Sequence, residues 1–246
     1  MNSPGAIGAG PATRPFFNRA AAGRAPLAPY SWGALGTSND YNAGGVSDIT
    51  VSGIECFAGE TVLVALVLGN NSVDVDAITP LIAGNAPNNG ITSWVYQGGA
   101  KTLFQWWYYS AGGLSGDVVV DFTGSTALPV IVAMLVSRVS SVNPPLAADK
   151  TKGAFGTSTN QDSGLTPATA QAREFLWGTI GTNGFGSDSL GTWQGSFTAG
   201  QRASDVNGID LKEGYRFVNA ISTYRSQVTG ASNRAFRSLI TTFRQT

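Results

Sequence analysis

Four consecutive aromatics, Trp106-Trp107-Tyr108-Tyr109, are the residues of this chain best suited to meet a ligand. Their flat faces can stack on sugar rings or bury at a protein contact while one polar atom hydrogen-bonds. On a strand, alternate side chains point to opposite faces, so Trp106 and Tyr108 face one way and Trp107 and Tyr109 the other. With Gly98–Gly99 as a two-residue turn, Trp94 and Tyr96 share the face of Leu103, Trp107 and Tyr109. Three readings are open for Trp94, Tyr96, Trp107 and Tyr109: they are covered inside the fold, they touch another subunit, or they form a glycan platform.

Carboxylates are the next candidates. Glu55 and Glu60 flank a turn, Asp74 and Asp76 are spaced D-x-D, and Asp117 and Asp121 share a strand. Four residues apart on a strand, the last pair is separated by roughly 13 Å, too far for a glycosidase acid/base pair. The D-x-D pair lacks the glycine and distal glutamate of an EF-hand loop. All six read as solvated loop or edge charges. The sequence contains no histidine, which removes Ser-His-Asp and Cys-His catalysis and His-ligated metals. One cysteine, Cys56, can build neither an intrachain disulfide nor a four-Cys zinc site, and its apolar setting reads as a core thiol. The Gly-rich segments 112–116 and 181–186 match no phosphate-binding loop. The four lysines, Lys101, Lys150, Lys152 and Lys212, have no surroundings that make a Ser-Lys dyad. No catalytic residue, metal or cofactor is expected.

The elements that position these residues are strands. Apolar or alternating runs occur at 49–57, 61–69, 76–83, 91–97, 101–110, 117–122 and 130–139. They resume at 173–181, 193–203, 214–220, 223–229 and 234–244, with glycine-rich breaks between. The run TVLVALVLG suits a buried strand, and Pro80 marks an edge or bulge. Residues 140–168 read as a long polar connection. With 246 residues and 42% hydrophobic content, the chain can bury a sizeable core. No run of about 18 apolar residues calls for a membrane span, and the N-terminus lacks a secretory pattern. The expected fold is all-β: a two-sheet, jelly-roll-like antiparallel β-sandwich over 49–246, preceded by an arm and lead-in loop at 1–48.

Residues 1–30 hold five of the eleven prolines, three arginines and no acid. Proline removes amide donors and fixes φ, so this stretch reads as an extended arm able to reach about 100 Å. Arg14, Phe16, Phe17, Arg19, Arg24 and Tyr30 are its candidate partner-binding residues.

The order GETVLVALVLG, ITPLIAGNAP, ITSWVYQGGAKTLFQWWYY, SGDVVVDFTGSTALPVIVAMLVSRV, REFLWGTIG and GYRFVNAISTYRSQVTGASNRAFRSLITTF resembles the jelly-roll sandwich domains of tailed-bacteriophage structural proteins and some bacterial surface proteins. The resemblance covers about residues 49–246 and rests on patterns of apolarity and turns. It implies a virion or surface role, and it carries no catalytic residues.

Net charge is zero, from 15 basic and 15 acidic residues, which disfavours a globally basic nucleic-acid binder. The zero is a cancellation: +3 over 1–30, −8 over 31–215 and +5 over 216–246. Eleven arginines against four lysines favour contacts, since guanidinium is the less strongly hydrated cation. The expectation is a non-enzymatic virion structural protein of a tailed phage, made in the host cytoplasm. Head decoration or minor capsid duty comes first, with a tail or fibre component as the alternative and a carbohydrate-binding module as a further one. Its partners would be other virion proteins (major capsid or tail), further copies of itself and host-surface glycans, with no membrane and no specific nucleic acid.

Overall fold

The computed structural model describes residues 31–69, 78, 80–93, 102–123, 131–140, 148–183, 191–205 and 208–245. The described chain is all-β and antiparallel, as its sequence pattern predicts. Its strands lie in three sheets.

The middle sheet runs β1 (Trp32–Tyr41), β8 (Ile131–Ser140), β3 (Glu60–Gly69), β6 (Thr102–Ser110), β5 (Asn89–Ser93). One outer sheet is β2 (Asp48–Cys56), β7 (Leu114–Asp121), β4 (Leu81–Ile82). The other centres on β10 (Arg173–Asn183), with β13 (Ile209–Asn219) and β12 (Thr198–Asp205) on one side. On its other side lies β14 (Gln227–Arg244), which also pairs with β11 (Thr192–Trp193) and β9 (Lys150–Asp162).

The reason for three layers is in β3 and β8. Every residue of both strands is buried. A strand apolar on both faces needs a cover on both faces. Val62, Val64, Leu66 and Leu68 of β3 enter a core with Ile49, Val51, Val118 and Val120 of the β2-β7 sheet. Leu63, Ala65 and Val67 enter a second core with Phe175, Trp177, Leu211 and Phe243 of the β10 sheet. The sequence expectation of two sheets is therefore extended by a third.

Two glycines make this geometry possible. In β2 the pairing with β7 shifts between Val51 and Ile54, and Gly53 takes a φ of 68°. This bulge lets Ile49 and Val51 before it, and Ile54 and Cys56 after it, all reach one core. In β10, a Cβ on Gly181 would lie 2.7 Å from Val67 Cγ2, so glycine sets how closely the two sheets approach. Strand order matches across that interface. Asn39 of β1 donates to Ser204 O of β12 at 3.1 Å, and Gln105 of β6 bonds β10 and β14. This order is compatible with a β-sandwich. A third core forms on the far face of β10, where Leu176 and Ile180 meet Trp193, Phe197, Tyr224 and Ile240.

Four strand expectations change. Residues 150–162, read as polar connection, form a strand of 13 residues. Its Thr, Ser and Gly residues carry no apolar alternation because it is an edge strand with little to bury. Residues 32–41, read as lead-in loop, form β1 paired to β8, so the sheet starts before residue 49. The runs at 223–229 and 234–244 join as β14, with a register irregularity between Thr229 and Arg234. Of the run 76–83, the described strand is only Leu81–Ile82.

Candidate functional site

The aromatic strand was the leading site, and β6 places it in the middle sheet between β3 and β5. Trp106 stacks on Phe104 with centroids 4.9 Å apart and packs into the core shared with the β2-β7 sheet. Trp107 is 1% exposed and meets Phe243 edge-on at 5.2 Å in the opposite core. The alternation is as expected. Trp107, however, is core and presents no face to a glycan or subunit, because β14 covers it. Tyr108 and Tyr109 are half-buried at the strand end. Trp94, Tyr96 and the arm residues Arg14, Phe16, Phe17, Arg19, Arg24 and Tyr30 lie outside the described residues.

The acids fare differently from one another. Asp117 and Asp121 are exposed, in line with their reading as edge charges. Asp117 accepts the Gly53 amide at 2.9 Å and so caps the β2 bulge. Hydrogen bonds from the Thr123 backbone and hydroxyl hold Asp121 below the usual carboxylate range. Glu55 is half-buried, and Asp74 and Asp76 lie outside the described residues. Glu60 corrects its expectation. It is 3% exposed and forms an ion pair with Arg138 at 3.2 Å. Its Oε2 also accepts the Phe57 amide at 2.9 Å, while the guanidinium lies 4.9 Å from the Phe57 ring centre. Beside this pair, burial first and then the charge of Glu60 push the Cys56 thiol up to about 12. A thiol so protonated is no nucleophile.

Sequence reasoning missed two buried polar seams between the middle sheet and the β10 sheet. In the first, Gln105 Nε2 donates to Thr179 Oγ1 at 3.0 Å and Gln105 Oε1 accepts from Thr241 at 2.5 Å. In the second, the Glu213 carboxylate accepts from Ser137 Oγ and from Trp177 Nε1, the latter at 2.9 Å. The Gln201 side chain adds a bond at 3.2 Å. Burial pushes Glu213 above the usual carboxylate range, against these hydrogen bonds. The sequence signal was weak: β13 begins Ile-Asp-Leu-Lys-Glu, and that mix of charges does not say that both acids are buried and need partners. A general acid or base must reach its substrate. Glu213 reaches only the groups that clamp the layers together.

A carboxyl pair joins the starts of β9 and β10 to the end of β14. Asp149 Oδ1 accepts Arg244 Nη2 at 2.9 Å, and Oδ2 accepts the Ala170 amide at 2.7 Å. Burial opposes its charge, but the bonds from Ala170, Glu174 and Arg244 hold Asp149 below the usual range. Burial, then the hydrogen bond and charge of Asp149, push Glu174 up to about 7 from 4.5. The sign follows directly. The folded state holds a proton on Glu174 that the unfolded state releases above about 4.5. Stability should therefore fall as pH rises from about 4.5 through 7, by up to about 3 kcal/mol. Urea unfolding of Glu174→Gln against the parent should show this slope reduced between those pH values. Glu213 acts with the same sign in both proteins, so the difference isolates Glu174. An unchanged slope would refute the raised pKa of Glu174 in the folded protein.

Among the described residues, no three Cys, Asp or Glu side chains gather where a metal ion could be held. No protein-family model, curated protein or solved structure matches this chain.

Proposed function

We propose that this protein is a non-enzymatic structural protein of a tailed-phage virion, serving as head decoration or minor capsid protein and attached through its N-terminal arm. A tail or fibre position is the alternative within the same role. The observation that carries the reading is where the buried acids go. Glu60, Glu213 and Asp210 are each at most 3% exposed, and each is tied to a neighbouring strand: to Arg138, to Ser137 and Trp177, and to Arg202. These three acids serve as ties between strands of the three-layer body, and the reading places the protein's work on its surfaces.

Charge supports attachment through the arm. Residues 31–246 carry 12 basic against 15 acidic residues, and residues 1–30 carry three basic and none acidic. A cationic arm suits a contact with the anionic body of a neighbour. Most of the C-terminal arginines have partners within the fold instead. Arg225 pairs with Asp162 at 2.7 Å, Arg244 pairs with Asp149, and Arg216 donates to Gly195 O. The sequence resemblance points the same way, toward an assembling sandwich. Glycan recognition keeps only Tyr109 of its named aromatics among the described residues.

The test is to look for the chain in gradient-purified phage particles by quantitative mass spectrometry. A fixed copy number per particle is expected. A chain found only in the unassembled lysate fraction would overturn the reading.

A further inference from the structure

β9 is the longest strand with one bonded side. It pairs with β14 from Lys150 to Asp162, and among the described residues no other strand pairs with it. Its 13 residues span roughly 40 Å at about 3.3 Å per residue. Natural edge strands are kept short, or are guarded by charged side chains, proline or a bulge of their own, because an open ladder of amides and carbonyls templates another strand. The charges of β9, Lys150, Lys152 and Asp162, lie toward its two ends and leave residues 153–161 uncharged. β9 contains no proline. Lys152, Phe155, Thr157 and Thr159 are exposed along it. Phe155 keeps 47% of its surface in solvent, with the Arg237 guanidinium 5.0 Å from its ring centre.

We propose that β9 is an isologous interface: two copies of this chain pair β9 to β9, antiparallel, about Gly156. This extends two six-stranded sheets into one. Antiparallel pairing centred on Gly156 is the one register that matches all 13 residues. It sets Lys150 opposite Asp162 of the second copy at both ends. It also sets Phe155 opposite Thr157 twice beside the centre. Opposite charges and aromatic–β-branched pairs are the cross-strand combinations that stabilise a ladder. Lys150 lies 3.8 Å from its own Asp149 and Asp162 keeps its own Arg225 at 2.7 Å, so each end becomes a cluster of alternating charges. The chain's own arm is a poorer occupant of this edge, since five prolines among residues 1–30 remove the donors a ladder needs. The inference goes beyond the virion role and does not depend on it.

The experiment uses the full chain. Sedimentation velocity over a wide concentration range should show a monomer–dimer equilibrium. Lys150→Glu should weaken it by about tenfold, since two attractions become two repulsions. In a second arm, Gly156→Cys should form a covalent dimer under mild oxidation, because residue 156 meets only itself at the two-fold axis. Lys152→Cys should not, since its mate is Asn160. Cys56 is buried and does not interfere. A Cβ at residue 156 makes only ordinary contact, 3.4 Å from Phe236, so the cysteine fits. A parent chain that stays monomeric overturns the proposal. So does a dimer indifferent to Lys150→Glu, or cross-linking through residue 152 as efficient as through 156.

Discussion

Arg138→Met should destabilise the protein by about 3–5 kcal/mol, because it strands the Glu60 carboxylate inside a core. Arg138 and Glu60 are 5% and 4% exposed at their side chains and lie 3.2 Å apart. They sit on the face of the middle sheet that packs on Val118, Val120 and Phe122. Neither charge can hydrate there once the other is lost. The double variant Arg138→Met/Glu60→Met removes both charges and should recover at least about 2 kcal/mol of the loss. The Phe57 amide, which donates to Glu60, keeps that recovery incomplete. Denaturant midpoints at constant m-value measure both. A single variant within about 1 kcal/mol of the parent would show that the pair is hydrated, and hence that the β2-β7 sheet does not seal this end of the middle layer.

Trp107→Ala should cost about 3–5 kcal/mol, and Tyr109→Ala less than about 1 kcal/mol. The two residues share one face of β6, and a surface platform would predict small and similar effects for both. They differ because Trp107 lies under β14, against Phe243, while Tyr109 sits near the strand end and is half-buried. Removing the indole opens a cavity between two sheets that cannot close without moving the Gln105–Thr241 and Gln105–Thr179 bonds. Thermal unfolding of the two variants separates the cases. Equal small shifts would return Trp107 to the surface and revive the glycan reading.

Much of the architecture was legible in local pattern. The unbroken apolar runs of β3 and β8 announced strands with no solvent face, and both are buried throughout. The number of layers was not legible. Covering a strand on two sides is decided by pairings distant in sequence, and a single run does not say what lies on either side. β9 was missed for the opposite reason. An edge strand buries little, so its Thr, Ser and Gly residues carry no period to read. The Glu60–Arg138 pair joins residues 78 apart, and Ser137–Glu213 joins residues 76 apart. Each partner alone looks like an ordinary charge or hydroxyl. The burial of the cysteine was easier to read, since it sits in an apolar strand, but the ion pair beside it was not.

The central claim is that this body works through its surfaces in an assembly, with its chemistry spent internally. Competition for incorporation tests it most directly. The full chain and a version beginning at residue 31 would be supplied together during phage growth, and both counted by mass spectrometry in gradient-purified particles. Circular dichroism of the shortened chain verifies its fold. The account predicts the full chain at a fixed copy number and the shortened chain nearly absent. Equal incorporation of the two, or particles containing neither, would contradict it.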